Sequence, residues 1–204
     1  MLEKIRNTIA EEINAVKNIP VSDSYEKVVN VLYDRVHKSG GKIVASGVGK
    51  AGQIALNMAT TFSSTGTPAI FMHPTEAQHG DLGVLQKNDV LLTVSNSGKT
   101  REILELIPLA KRLIKDIPII AITGKEGSDL DKLADFTLLT GNPKEVCKLG
   151  LTPSTSMTVM NIIGDILVVL MCDRTGFSHE EYSKRHHGGY LGSKARREGE
   201  NANK

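Results

Sequence analysis

The residues with the clearest chemical potential form the segment Ser95-Asn96-Ser97-Gly98-Lys99-Thr100, which follows the apolar run Val90 to Val94 and precedes a helically spaced stretch, Glu102 to Leu113. Hydroxyls from Ser95, Ser97 and Thr100 gather at a helix start, where the first backbone N–H groups lack intrahelical acceptors. Such a site suits an anion, and phosphate above all. Lys99 and Arg101 either add positive charge or face solvent. The same residues also read as a Ser/Thr-rich cap without a ligand, and local chemistry alone does not separate the two. A second loop, Ser46-Gly47-Val48-Gly49-Lys50-Ala51-Gly52, satisfies GxGxxG. The acidic ribose ligand of a dinucleotide site is missing, because the next apolar run ends at His73-Pro74. Nor is this a Walker A loop: its leading glycine is absent and Ala51 stands where a magnesium-binding hydroxyl is needed.

The remaining reactive side chains exclude more than they suggest. The pairs His73/His79 and His186/His187 match no diagnostic metal-ligand spacing, so neither metal nor cofactor is expected. Cys147 and Cys172 make no CxxC pair and no disulfide framework, which fits inert thiols in a reducing cytoplasm. A net charge of +2 is too small to imply a nucleic-acid partner. The apolar run Ile166 to Cys172 falls short of the roughly 20 residues of a membrane span and reads as a buried helix. Residues 1–19 interleave charges with apolar residues and leave no secretory h-region.

Positioning these loops requires a sheet. Leu2, Ile5, Ile9, Ile13 and Val16 have helical spacing, and Asp23 with Glu26 fits the cap of a second helix bearing Val28, Val29, Leu32 and Val36. After Gly40-Gly41 come five short strand candidates: Ile43 to Ala45, Ala69 to Met72, Val90 to Val94, Ile117 to Ile122 and Phe136 to Leu139. Helical stretches, notably Ala51 to Phe62 and Glu102 to Leu113, alternate with them. This order predicts an α/β fold, a three-layer αβα sandwich on a five-stranded parallel sheet with ligands beyond the strands' carboxyl ends. A last long helix, capped by Ser154, runs through Ile166 toward Gly176. Composition and length fit one module over residues 1–193, with 194–204, including Lys194, Arg196 and Arg197, as a disordered tail.

Beyond these elements, the loop Ser95 to Thr100 resembles the signature of sugar isomerase (SIS) domains. The run from His73-Pro74-Thr75-Glu76-Ala77-Gln78 through His79-Gly80-Asp81-Leu82-Gly83 resembles the HPxEAxHGDLG stretch of arabinose-5-phosphate isomerases. The glycine loop Ser46 to Lys50 and the segment Lys144 to Pro153 extend the likeness, which covers about residues 1–193. It implies interconversion of D-arabinose 5-phosphate and D-ribulose 5-phosphate through an enediolate, for Kdo biosynthesis. Lys50, Glu102, Glu145 and His186 fall at the family's catalytic positions. Ser46, Gly47, His79, Ser95, Asn96, Ser97, Gly98 and Thr100 would bind substrate.

Within that scheme Glu145 is the expected base, beyond the last strand, with Glu102 as the competing base or a partner of Lys50. Lys50 would meet the oxyanion or the phosphate, and His186 would open the furanose ring. Where the family reads His-Pro-Gly-Gly, this chain has His186-His187-Gly188-Gly189, so His187 is placed to share the role. The resemblance further implies a homotetramer in which His186 reaches a neighbour's cleft. Many family members carry paired CBS domains after this module, and this sequence stops at Lys204; feedback by CMP-Kdo in the substrate cleft is therefore expected. The rival expectations are another phosphosugar aldose-ketose isomerase and a non-catalytic phosphosugar-binding regulator, which would need the cradle and no base.

Overall fold

In the computed structural model, residues 1–202 are described. Two helices lead in, α1 (Leu2–Lys17) and α2 (Ser24–Leu32), the latter prolonged by a π-helical turn over Tyr33–Lys38. Strands then alternate with helices: β1 (Ile43–Gly47), α3 (Gly49–Ser64), β2 (Ala69–Phe71), the short α4 (Pro74–Ala77), β3 (Val90–Val94), α5 (Arg101–Leu113), β4 (Ile119–Thr123), the short α6 (Asp129–Leu133) and β5 (Phe136–Leu139). A long helix α7 (Thr155–Thr175) follows, and then α8 (His179–Arg185) and α9 (Gly189–Ala202).

All strand pairings are parallel, in the order β2-β1-β3-β4-β5. The chain winds outward from β1 to β2 and then reverses to β3, which puts a topological switch point between β1 and β3. Alternate residues of each central strand serve opposite faces. Ile43, Leu92, Ile120 and Leu138 pack with Leu32, Phe62 and Ile163 from α2, α3 and α7. Val44, Leu91 and Ile119 pack with Ile103, Leu106 and Ile107 of α5. Burial on both faces explains why these strands read as continuous apolar runs. Two close approaches seat the helices that matter for the site: a Cβ on Gly52 would lie 2.7 Å from the Gly47 carbonyl, and one on Gly164 of α7 would lie 2.6 Å from Met58 of α3.

The structure departs from the sequence reading in three places. Asp23 does not cap α2, because its carboxylate pairs with Lys27 at 2.8 Å, one turn ahead. Ser154 occupies the cap position of α7, but its hydroxyl donates to Glu145 and to the Thr152 carbonyl rather than accepting from the helix. Residues 194–202, expected as a disordered tail, belong to α9; residues 203 and 204 lie outside the described residues. Ala195 is buried, and Gly192 passes so close to the His186 carbonyl that a Cβ would collide with it. Glycine therefore marks helix-on-helix contact here, not flexibility. By length and composition α7 passes for a membrane span, yet half of its most apolar stretch is buried inside the fold. Leu167, Val168 and Met171 are core residues, whereas Asp165 and Val169 face outward.

Candidate active site

The loops after β1, β3 and β5 converge with the start of α7 around a cleft of about 810 Å³ at the carboxyl edge of the sheet. Lys50, in the first turn of α3, lines it from the β1 side. Ser95, Asn96, Ser97 and Thr100 line it from β3, and Lys144, Glu145 and Cys147 to Leu151 close it from β5. Gly98 adopts φ +63°, which turns the backbone sharply so that α5 can begin at Arg101. Its carbonyl accepts from Leu130 N–H at 3.0 Å, anchoring the loop to α6. Asn96 ties three strand ends together: its carbonyl accepts from Gly124 N–H at 2.9 Å, and its side-chain oxygen accepts from the Thr140 hydroxyl at 3.5 Å.

The loop is primed for an anion. The Ser95 and Thr100 hydroxyls lie 2.7 Å apart, so whichever donates, the other keeps its proton for a ligand. The first N–H groups of α3 and α5, outside the intrahelical ladder, add the positive end of each helix dipole. Lys50, Lys144 and Lys148 contribute three cations to the lining, against the single carboxylate of Glu145. That balance favours a doubly charged phosphate.

Glu145 lines the same cleft, its carboxylate held against the start of α7. Its Oε2 accepts from Ser154 N–H at 2.8 Å, from the Ser154 hydroxyl at 3.1 Å and from Ser156 N–H at 3.4 Å. Its Oε1 accepts from the Ser156 hydroxyl. Partial burial alone would push this carboxyl up; the hydrogen bonds from Ser156 and Ser154 outweigh burial and hold it below its ordinary value. Glu145 thus neutralises the N-terminus of α7, which leaves the N-termini of α3 and α5 for the ligand. Beside it, N–H groups of Thr152 and Leu151 point at the Cys147 sulfur, at 3.2 and 3.3 Å, and such bonds bring the thiol down to about 7. Cys147 lines the cleft, and burial pushes the Cys172 thiol the other way.

Of the residues singled out in the sequence, Lys50, Glu145, Ser95, Asn96, Ser97 and Thr100 are brought together on the cleft wall. Ser46 is wholly buried and donates to the Met72 carbonyl at 2.7 Å, fastening β1 to the turn after β2. Gly47 and Gly98 shape backbone without lining the space. Glu102, half-buried in the first turn of α5, and exposed His79, just past α4, also lie off the wall. His186 ends α8, stacked on Tyr182 with ring centroids 3.8 Å apart. Its helix packs near Gly66 at the far end of α3, at the opposite edge of the sheet from the cleft. What sequence reading missed is Ser156, together with the roles of Lys144, Cys147 and Lys148. The run Ser154-Thr155-Ser156 at a helix start carried the same hydroxyl signal as Ser95 to Thr100.

A five-stranded parallel sheet with this serine-rich cleft at its switch point is the architecture of the sugar isomerase class, and residues 36–170 match the SIS domain family. The chain belongs to that family. It is 47% identical over 154 residues to arabinose 5-phosphate isomerase KdsD of Shigella flexneri, a match covering 76% of this chain and 46% of that protein. To KdsD of Francisella tularensis it is 40% identical over 193 residues, 95% of this chain and 54% of that protein. The chain therefore spans about half the length of these curated relatives. Among solved structures, a Bacteroides fragilis chain assigned as a phosphosugar isomerase involved in capsule formation superposes with a TM-score of 0.92 at 59% identity, covering 93% of this chain and 99% of that one. The E. coli CFT073 protein c3406, solved in complex with arabinose 5-phosphate, gives 0.84 at 36% identity, covering 91% and 96%.

Proposed function

We propose that this chain is a phosphosugar aldose-ketose isomerase that interconverts D-arabinose 5-phosphate and D-ribulose 5-phosphate. The observation that carries the reading is the single cleft that joins the Ser95 to Thr100 anion receptor to Lys50 and Glu145. The KdsD relatives and the sugar-phosphate complex of c3406 support the choice of sugar.

In this mechanism the loop at the start of α5 holds the phosphate, and that remote binding energy fixes the first two carbons against the base. Glu145 takes the proton from C2 and returns it to C1, while Lys50 stabilises the charge that develops on the carbonyl oxygen. To act, the carboxylate must give up part of its bonding to Ser156 and Ser154. A regulator that only sensed a phosphosugar would need the anion receptor and have no use for a carboxylate on the same cleft wall. Because α8 lies at the opposite edge from its own cleft, His186, with His187 beside it, would serve ring opening in a neighbouring subunit. This role calls for a homotetramer, and a fully active monomer by light scattering would contradict it. The product would feed Kdo synthesis for lipopolysaccharide or capsule, with CMP-Kdo competing in the same cleft.

The test is incubation of the purified protein with arabinose 5-phosphate and EDTA, followed by assay for ribulose 5-phosphate. Metal-independent conversion is expected; tight binding without conversion would refute the enzyme reading. The hydrogen bond from Ser156 supplies a second expectation. It stabilises the ionised carboxylate, so Ser156→Ala raises the Glu145 pKa and moves the acid limb of kcat/KM to higher pH. An unshifted limb in the pH profile would remove Glu145 from the role of base.

A further inference from the structure

We propose that Glu12, on a helix far from the cleft in sequence, is a positioning residue for the reaction, acting through Thr155 on the loop that carries Glu145. This inference rests on the isomerase reading above. Among the described residues α1 buries none, and its apolar residues Leu2, Ile5, Ile9 and Ile13 are exposed. Glu12 nevertheless points inward: its Oε1 accepts from the Thr155 hydroxyl at 2.8 Å, and its Oε2 is buried with no hydrogen-bond partner among the described residues. A buried carboxylate oxygen left unpaired costs stability, so the contact with Thr155 is held against that cost. The Thr155 hydroxyl in turn accepts from Val146 N–H at 3.2 Å, next to Glu145. Thr155 is itself buried between Ser154 and Ser156, the two residues that bond the Glu145 carboxylate. One turn of α7 is thus bonded to two glutamates, Glu12 through Thr155 and Glu145 through Ser154 and Ser156.

The loop needs such a tie. The same residues, Pro143, Lys144, Glu145 and Cys147, wall both the cleft and a second cavity of about 780 Å³ facing Glu11, Asn14 and Asn18. With space on both sides, this loop gets little lateral support from the core, and the Glu12–Thr155–Val146 chain fixes its middle. Losing the chain would let Glu145 wander by the small distance that proton transfer does not tolerate, while the phosphate loop, braced by Asn96 and α6, keeps its grip.

Glu12→Ala and Thr155→Val are each expected to lower kcat by tenfold or more with KM within about threefold. The double variant should be no worse than either single one, and Thr155→Ser, which keeps the hydroxyl, should restore most of the rate. Hydrogen–deuterium exchange over residues 143–153 is expected to quicken in Glu12→Ala while melting temperature and exchange in β3 stay close to wild type. A kcat within twofold of wild type, additive losses in the double variant, or unchanged exchange in that loop would overturn the inference. A wild-type protein that does not convert arabinose 5-phosphate sinks the isomerase reading instead, and the exchange measurement then still decides the link from α1 to the loop.

Discussion

Glu145→Gln is expected to lower kcat for arabinose 5-phosphate by about a hundred- to ten-thousandfold, the range a general base contributes. Each tenfold corresponds to about 1.4 kcal/mol of barrier. The substitution is nearly isosteric, and the Gln carbonyl still accepts from Ser154 and Ser156, so the loop and the start of α7 should survive. KM should change little, because the phosphate is held by the Ser95 to Thr100 loop on the opposite wall. Glu102→Gln should lose less, since Glu102 sits behind that loop, off the cleft wall. Steady-state kinetics of the two variants side by side distinguish the two carboxylates. A Glu102→Gln variant more impaired than Glu145→Gln would reverse their roles.

Gly98→Val is expected to have the largest effect on folding. At φ +63° a β-carbon is strained in any case, and here it would collide with the Ser128 hydroxyl and lie 2.9 Å from that of Thr123. The left-handed conformation costs roughly 1–2 kcal/mol and overpacking about 1–3 kcal/mol, with the β-branched residue at the upper end. In a domain of this size that corresponds to a drop in Tm of roughly 4–20 °C. Whatever folds should bind inorganic phosphate and phosphosugars weakly, because Ser97 and Thr100 are displaced with the turn. Gly98→Ala should show the same effects in smaller measure. Thermal melts read out the first effect and isothermal titration the second; an unchanged Tm would mean that α6 can retreat from the loop.

The sheet was legible because burial on both faces writes each strand as an apolar run, as in Val90 to Val94 and Ile119 to Ile122. The phosphate loop was legible for a local reason as well: hydroxyls and a glycine between a buried strand and an amphipathic helix have few other uses. The Glu145 site was only half legible. Its residue type and position beyond β5 were visible, but its partners lie nine and eleven residues on, across an irregular loop whose path has no periodicity to read. Ser154 fits a helix cap by pattern, but the carboxylate of Glu145 takes that part instead. Ser46 enters the expected substrate contacts through the likeness of its glycine loop; its burial rests on the Met72 carbonyl, supplied by the neighbouring β2 turn, which sequence does not show. Tertiary structure decided the tail too: α9 buries Ala195, and a Cβ on its Gly192 would collide with the His186 carbonyl that ends α8.

If Glu145 moves a proton between the first two carbons of a sugar anchored by its phosphate, whatever hydrogen its carboxyl group exchanges with solvent must enter the ketose at C1. The most direct test is conversion of arabinose 5-phosphate in deuterium oxide with EDTA present, followed by NMR of the ribulose 5-phosphate formed. An enediolate in an open cleft exchanges with solvent, so deuterium should accumulate at C1 as the mixture equilibrates, and both conversion and labelling should collapse together in Glu145→Gln. Deuterium entering the ribulose 5-phosphate at a carbon other than C1, or conversion and labelling undiminished in Glu145→Gln, would contradict the proton transfer proposed for Glu145.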